Sequence, residues 1–379
     1  MKKIVIFTCP AGGGHTSVTN ALQEQLKGQY TVTQAYIFTD VLGNIDPLNY
    51  ISRGRYNGEM IYNWFIRRRI YWANNTLAQA GRWLYSFFAF RVERRVEEYL
   101  RKEKPDLVIS VIPFVNASIL AVTKKLDLPF LVIPTDLDAS TFSVGSKASD
   151  YKKLYFTLPF ENQLIKQSIE KAHIPADKLY ITGFVLRPAF FEPKDVDKIK
   201  DEFNIPTNKP VVMVMMGAVG SVTSYDFTQE LVKCEQPVHL IVCIGKNEGL
   251  RAKIEELELS PHVSLTIIGF TDRVAELMAV SDLFVTKSGS VSFCEGMYMN
   301  IPMLLDATAT VMAWEQLNHK IAEEYEFGKS VKSNEEIRLI VESMIANPET
   351  LAIMRQNLEN MNKKRGCSEI KKLIKEIIS

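Results

Sequence analysis

Apolar residues in this chain fall into short unbroken runs separated by longer stretches with helical spacing. Residues 3–8 (KIVIFT) form the first run, followed by glycines at 12–14 and a helical pattern over 15–27. Further runs occupy 32–38, 106–112 and 130–135, then 211–216, 238–244, 263–268, 282–286 and 303–306. They are continuous rather than alternating and rich in β-branched residues, as strands buried on both faces are. Helical patterns such as 272–280 lie between them. Strand–helix alternation of this kind predicts parallel sheets covered by helices on both sides. The polar, proline-bearing stretch 192–210 divides the pattern in two. The expected architecture is α/β: two doubly wound, Rossmann-like domains facing a cleft. The first spans 1–192 and the second 193–361. A closing helix over 362–379 is expected to pack back on the first domain.

Residues 51–95 break the alternation. The stretch carries Arg53, Arg55, Arg67, Arg68, Arg69, Arg82, Arg91, Arg94 and Arg95 against only two acids, Glu59 and Glu93. Among the arginines stand Trp64, Phe65, Trp72 and Trp83. Arginine interleaved with aromatics suits a helix lying on anionic lipid. It equally suits a helical insertion with aromatics inside and arginines solvated. As a membrane or acceptor surface, the residues of interest are Trp64, Phe65, Arg67, Arg68, Arg69, Trp72 and Trp83.

Composition narrows the classes. The chain has 379 residues, 46% hydrophobic, with a formal net charge of +1. That argues against disorder and against a protein that coats nucleic acid by counterion release. The five cysteines are scattered, with no paired spacing and no Cys/His cluster, so neither a disulfide framework nor a metal site is expected. The first apolar run, about five residues, is shorter than a signal peptide's apolar region. A cytoplasmic protein, peripheral on the cytoplasmic membrane face, is the expectation.

Four motifs carry chemistry. Gly12-Gly13-Gly14-His15 follows the first strand. Glycines let the backbone approach a ligand, and the field of the helix N-terminus disfavours imidazolium at His15. A neutral imidazole can act as a general base; a tight turn with a capping histidine fits the spacing as well. Gly217 and Gly220 follow a strand in the second half and can turn amides toward a phosphate, or simply make a turn. Thr286-Lys287-Ser288-Gly289-Ser290 joins a strand to a helix. Its hydroxyls and amides suit a diphosphate without a metal. Glu295, further along that helix, can accept ribose hydroxyls or be a surface carboxylate beyond a capping box. Glu315, Gln316 and Asn318, after Trp314, open another helix and can read sugar hydroxyls or be an ordinary polar start. Asp136 and Asp138 follow a strand; Asp136 is placed to orient His15 or a substrate hydroxyl, or to cap a helix.

Together these residues resemble a known family. AGGGHTS, PDLVISVIPF (105–114) and LVIPTDLDASTF (131–142) resemble the N-terminal domain of monogalactosyldiacylglycerol synthases and the related processive diacylglycerol glucosyltransferases. LYITGFVLRPAFF (179–191) resembles the family's connector. Residues 269–306 resemble its donor half, shared with the N-acetylglucosaminyltransferase that completes the lipid-linked peptidoglycan precursor. The resemblance implies a GT-B fold and inverting, metal-independent transfer of a hexose from a UDP-sugar to diacylglycerol. The UDP-sugar is a co-substrate, and no cofactor is implied. By position it implies His15 as base. It implies Gly13, Gly14, Gly217, Phe270, Ser288, Gly289, Ser290, Glu295, Glu315, Gln316 and Asn318 around the donor, with Phe270 where the family's backbone meets uracil. The chain departs from the family at Trp314 (usually glutamine), at Ala313 (usually glycine), in a glycine turn lacking its acid, and at Val185-Leu186, which lacks a proline. Other readings are another lipid-linked acceptor, a UDP-sugar 2-epimerase, or a weakened UDP-sugar sensor.

Overall fold

The computed structural model describes residues 1–10, 13–43, 55, 60, 76, 87–145, 150–218 and 220–379. The chain divides into two compact units. One comprises Met1–Pro188, Met312–Leu317 and Lys363–Ser379; the other comprises Ala189–Val311 and Asn318–Asn362.

The first unit contains β1 (Lys3–Thr8), α1 (Gly14–Leu26), β2 (Thr31–Tyr36), α2 (Ala89–Glu103), β3 (Leu107–Ser110), α3 (Asn116–Lys125), β4 (Phe130–Val132), β5 (Leu154–Leu158), α4 (Gln163–Lys171) and β6 (Leu179–Ile181). Its sheet runs β2-β1-β3-β4-β5-β6, and every pairing is parallel. Both faces are covered, so Ile4, Val5, Ile6 and Phe7 are all fully buried, which is why these strands read as continuous apolar runs. Strand order reverses at β1, with β2 on one side and β3 on the other.

The end of the stretch 51–95 is part of this unit rather than an insertion. α2 begins at Ala89 and buries Val92, Val96 and Leu100, one stripe at a spacing of four. Arg94–Glu98 and Arg101–Glu97 pairs line its solvent side. Such exposed pairs contribute only a few tenths of a kcal/mol each, so the buried stripe decides where the helix sits. Trp64, Phe65, Arg67, Arg68, Arg69, Trp72 and Trp83 lie outside the described residues.

The second unit contains α5 (Val196–Glu202), β7 (Val211–Met215), α6 (Val222–Leu231), β8 (Val238–Gly245), α7 (Gly249–Glu255), β9 (Val263–Gly269), α8 (Val274–Ala279), β10 (Leu283–Lys287), α9 (Ser290–Tyr298), β11 (Met303–Asp306), α10 (Gln316–Glu324) from Asn318 onward, β12 (Gly328–Val331), α11 (Glu336–Ile345) and α12 (Pro348–Asn360). Its sheet runs β12-β11-β10-β7-β8-β9, again parallel throughout. Here the order reverses at β7, between β10 and β8. One core cluster includes Val212, Val214, Phe227, Leu240, Val242 and Val285.

The last helix, α13 (Gly366–Ile377), belongs to the first unit and packs on α1. The approach is backbone to backbone: a Cβ on Gly366 would lie 2.0 Å from the Phe184 carbonyl oxygen. Cys367 follows, its buried thiol donating to the Leu186 carbonyl at 3.2 Å. Among the described residues no helix is long and apolar enough to cross a membrane.

Candidate active site

In open parallel sheets, ligands bind beyond the carboxyl ends of the strands where strand order reverses. His15 lies at that place in the first unit. It is the second residue of α1, whose N-cap is Gly13 (φ 85) with no side-chain cap. Its Nδ1 is 2.7 Å from the Val111 carbonyl oxygen, just beyond β3. Thr135 Oγ1, just beyond β4, is 2.9 Å from the same nitrogen.

These contacts fix the tautomer. A carbonyl oxygen can only accept, so Nδ1 carries the proton and donates it. The neutral ring then keeps its lone pair at Nε2. The Val111 carbonyl is held by a buried network: Ser110 Oγ donates to Asn116 Oδ1 at 2.6 Å, and Asn116 Nδ2 donates to the Ile112 carbonyl at 2.8 Å. Both of these side chains are fully buried. Burial pushes the His15 pKa below its ordinary value, outweighing the opposing Asp136 charge and Val111 carbonyl. From the sequence, the helix field is the expected cause of a neutral ring; here the leading cause that lowers the pKa is burial.

The Asp136 charge acts on His15 in the opposite direction to burial, favouring the protonated ring. The capping alternative for Asp136 does not hold. Asp138 caps the short 3-10 turn Ala139–Phe142 instead, its Oδ1 accepting from the Ser140 amide at 2.9 Å.

The second unit has its own reversal point, flanked by the turns after β7 and β10. Gly217 follows β7 with φ 87, a conformation that side chains disfavour. A Cβ there would also lie 3.2 Å from Lys287 Cε, so the lysine stem lies against this glycine. Lys287 ends β10, and among the described residues its amine has no hydrogen-bond or ion-pair partner. Ser288, Gly289 and Ser290 complete the turn; Gly289 is the N-cap of α9, which has no side-chain cap. Ser288 and Ser290 are buried.

Asn318 braces this turn. Its Nδ2 donates to the Ser288 carbonyl at 2.6 Å and to Ser290 Oγ at 3.1 Å. The side chain is fully buried, and its Oδ1 has no partner among the described residues. Glu295, in the second turn of α9, is 6% exposed, so it is not a surface carboxylate. Glu315 and Gln316 fall in the segment 312–317 that belongs to the first unit, whereas Asn318 belongs to the second. The Glu315 amide donates to the Met312 carbonyl at 2.9 Å. Phe270, just past β9, is 61% exposed, with Lys246 Nζ 4.9 Å from its ring centre. Among the described residues no three His, Cys, Asp or Glu side chains converge as a metal would require.

Sequence reasoning passed over Val111, Thr135 and Lys287. Nothing marks Val111, since its backbone oxygen does the work. Thr135 stands in a quoted motif but has no reactive side chain. The position of Lys287 between two glycine turns was the available signal.

Two family models match the chain. Residues 15–185 match monogalactosyldiacylglycerol (MGDG) synthase, and residues 211–377 match the glycosyltransferase family 28 C-terminal domain. The processive diacylglycerol beta-glucosyltransferase of Bacillus subtilis is 24% identical over 367 residues, covering 95% of this chain and 91% of that protein. The Staphylococcus epidermidis protein of the same description is 24% identical over 379 residues, covering 100% and 92%. Among solved structures, Acinetobacter baumannii MurG superposes with a TM-score of 0.66 at 13% identity, covering 99% of this chain and 100% of that one. Anabaena Alr3699/HepE, in complex with UDP, gives 0.57 at 13% identity, covering 100% and 99%.

Proposed function

We propose that this chain, a GT-B glycosyltransferase built from an MGDG synthase domain and a family 28 C-terminal domain, moves a hexose from a UDP-sugar to diacylglycerol. The transfer is inverting and uses no metal ion. The observation that carries the reading is the His15 ring: neutral by burial, with its proton fixed on Nδ1 and its lone pair on Nε2. A base of that form is what an alcohol acceptor needs. The diacylglycerol hydroxyl attacks C1 of the hexose and passes its proton to Nε2. The bond from C1 to the distal phosphate oxygen breaks, and its electron pair leaves with UDP. One displacement inverts C1, so no carboxylate nucleophile is needed, unlike in retaining glycosidases.

The choice of acceptor rests on the relatives, which are named processive diacylglycerol beta-glucosyltransferases, and on the first matched family. The choice of donor rests on the second unit's turns, where amides, hydroxyls and a lysine meet at the reversal point. Contact with an anionic membrane surface is supported by Phe87 and Phe90, which are 85% and 78% exposed, beside Arg91, Arg94 and Arg95. The protein would act at the cytoplasmic face of the membrane.

The test is transfer of labelled hexose into diacylglycerol in anionic vesicles, with EDTA present. UDP-glucose, UDP-galactose and UDP-N-acetylglucosamine are compared, using wild type and His15→Ala. One donor is expected to label the lipid, and His15→Ala to lower turnover by about two to four orders of magnitude. UDP binding without a lipid product would shift the reading to another acceptor, an epimerase or a sensor. Full activity in His15→Ala would remove the base assignment.

A further inference from the structure

We infer that Lys287 is a catalytic residue of the donor site, holding the diphosphate and balancing the charge that the leaving group acquires. The inference rests on the nucleotide-sugar reading above, but its test needs no lipid acceptor.

Four observations place the lysine. It ends β10, which pairs directly with β7, so it stands at the strand-order reversal of the second sheet. Its stem lies across Gly217, the first residue of the turn after β7 that bends back with positive φ. The amine has no ion-pair partner among the described residues. The residues that follow are the uncapped start of α9, where backbone amides and the helix field favour an anion. A lysine whose stem lies against one turn, and whose charge is unmatched among the described residues, suits a charge supplied by a ligand.

A second, independent observation points to the same ligand class. Asn318 Oδ1 is fully buried with no partner among the described residues, while the other end of that amide is tied to Ser288 and Ser290. A buried acceptor left open is costly unless something donates to it. A ligand that supplies both an anion for Lys287 and a hydroxyl for Asn318 is a phosphorylated sugar. A nucleoside diphosphate hexose carries both. Asn318 then has a double part: its amide hydrogens set the turn, and its oxygen meets the ligand.

The chemical need follows from charge. When the C1–oxygen bond breaks, the departing UDP gains one negative charge on its distal phosphate. A fixed cation at that point is stronger in the transition state than in the ground state, which is the condition for lowering a barrier. Lysine suits the task as a compact point charge.

The experiment is calorimetric titration of uridine, UMP and UDP into wild type, Lys287→Met and Lys287→Arg. Methionine keeps an apolar stem against Gly217 and removes only the charge. Lys287→Met is expected to lose about ten- to a hundredfold in UDP affinity, less for UMP, and to bind uridine as wild type does. Lys287→Arg should recover most of the UDP affinity. With labelled UDP-sugar, Lys287→Met should also slow transfer more than it weakens donor binding. Wild-type UDP affinity in Lys287→Met would overturn the inference. So would an equal loss for uridine and UDP, since that marks a packing role. If wild type binds no UDP, both the inference and the donor reading fall. If it binds UDP but labels no diacylglycerol, only the acceptor reading falls.

Discussion

At the scale of single residues, the chemistry depends on where protons sit. His15 must be neutral to accept one, and burial holds its pKa below 6.5. As the proposed base, His15 would be competent through neutral pH and lost only as pH falls through that lowered value. The acid limb of kcat/KM is expected below pH 6.5, and it should be absent from the residual activity of His15→Ala. A limb well above 6.5 would contradict a buried neutral base. The glycines and His15 are legible because their chemistry is written in their residue types. Their partners are not. Val111 contributes a carbonyl that any residue could supply, and Thr135 stands 120 positions from His15. Lys287 was quoted within its motif but given no role, since lysines are common and its neighbour Gly217 is seventy positions away.

At the scale of elements, unbroken apolar runs were legible even where the strand is short, as in β3, β4 and β11, while β5, β6 and β12 were not. β1, β7, β8 and β10 announce themselves as continuous buried runs. β12 (GKSV) is half polar and β6 (LYI) only half-buried, so neither stands out as a buried apolar run. The run read as a strand over 32–38 ends at Tyr36, where the chain enters a π-helical turn, Ile37–Val41. The closing helix α13 depends on glycine, since no Cβ fits between Gly366 and the Phe184 carbonyl. Gly366→Ala should destabilise the protein by about 1–3 kcal/mol, the range for overpacking. A lowered midpoint in denaturant at unchanged slope would register it. An unaltered midpoint would mean that α13 can shift away at no cost.

At the scale of the molecule, two properties can be measured. Phe87 and Phe90 are large, exposed and next to arginines. Phe87→Ala with Phe90→Ala should reduce binding to anionic vesicles by roughly a hundredfold or more, given about 1.5–3 kcal/mol for each buried phenylalanine. Co-sedimentation measures this; unchanged binding would assign the contact to other residues. Stability should also depend on acidity. Burial and the charges of Lys209 and Lys200 hold His239 down to about 4. The unfolded chain takes up that proton near pH 6.5, while the folded chain refuses it until about pH 4. This stability is complete above pH 6.5 and lost as pH falls toward 4, roughly 3 kcal/mol in all. Thermal unfolding at pH 7 and pH 4.5 should show a smaller drop for His239→Gln than for wild type.

The sequence by itself determined the α/β class, the presence of two successive doubly wound halves, the glycine–histidine turn and the turn at 286–290. All of these depend on local composition: unbroken apolar runs, a polar linker, glycines beside polar residues. Tertiary structure alone decided the strand order, and so the reversal points that put His15 beside Val111 and Lys287 against Gly217. It also decided that Asn318 braces the turn at Ser288 and that burial sets the charge of His15. These follow from crossovers that join strands far apart in the chain. The energy of such contacts belongs to pairs of distant groups, often backbone atoms, and no local pattern of side chains encodes it.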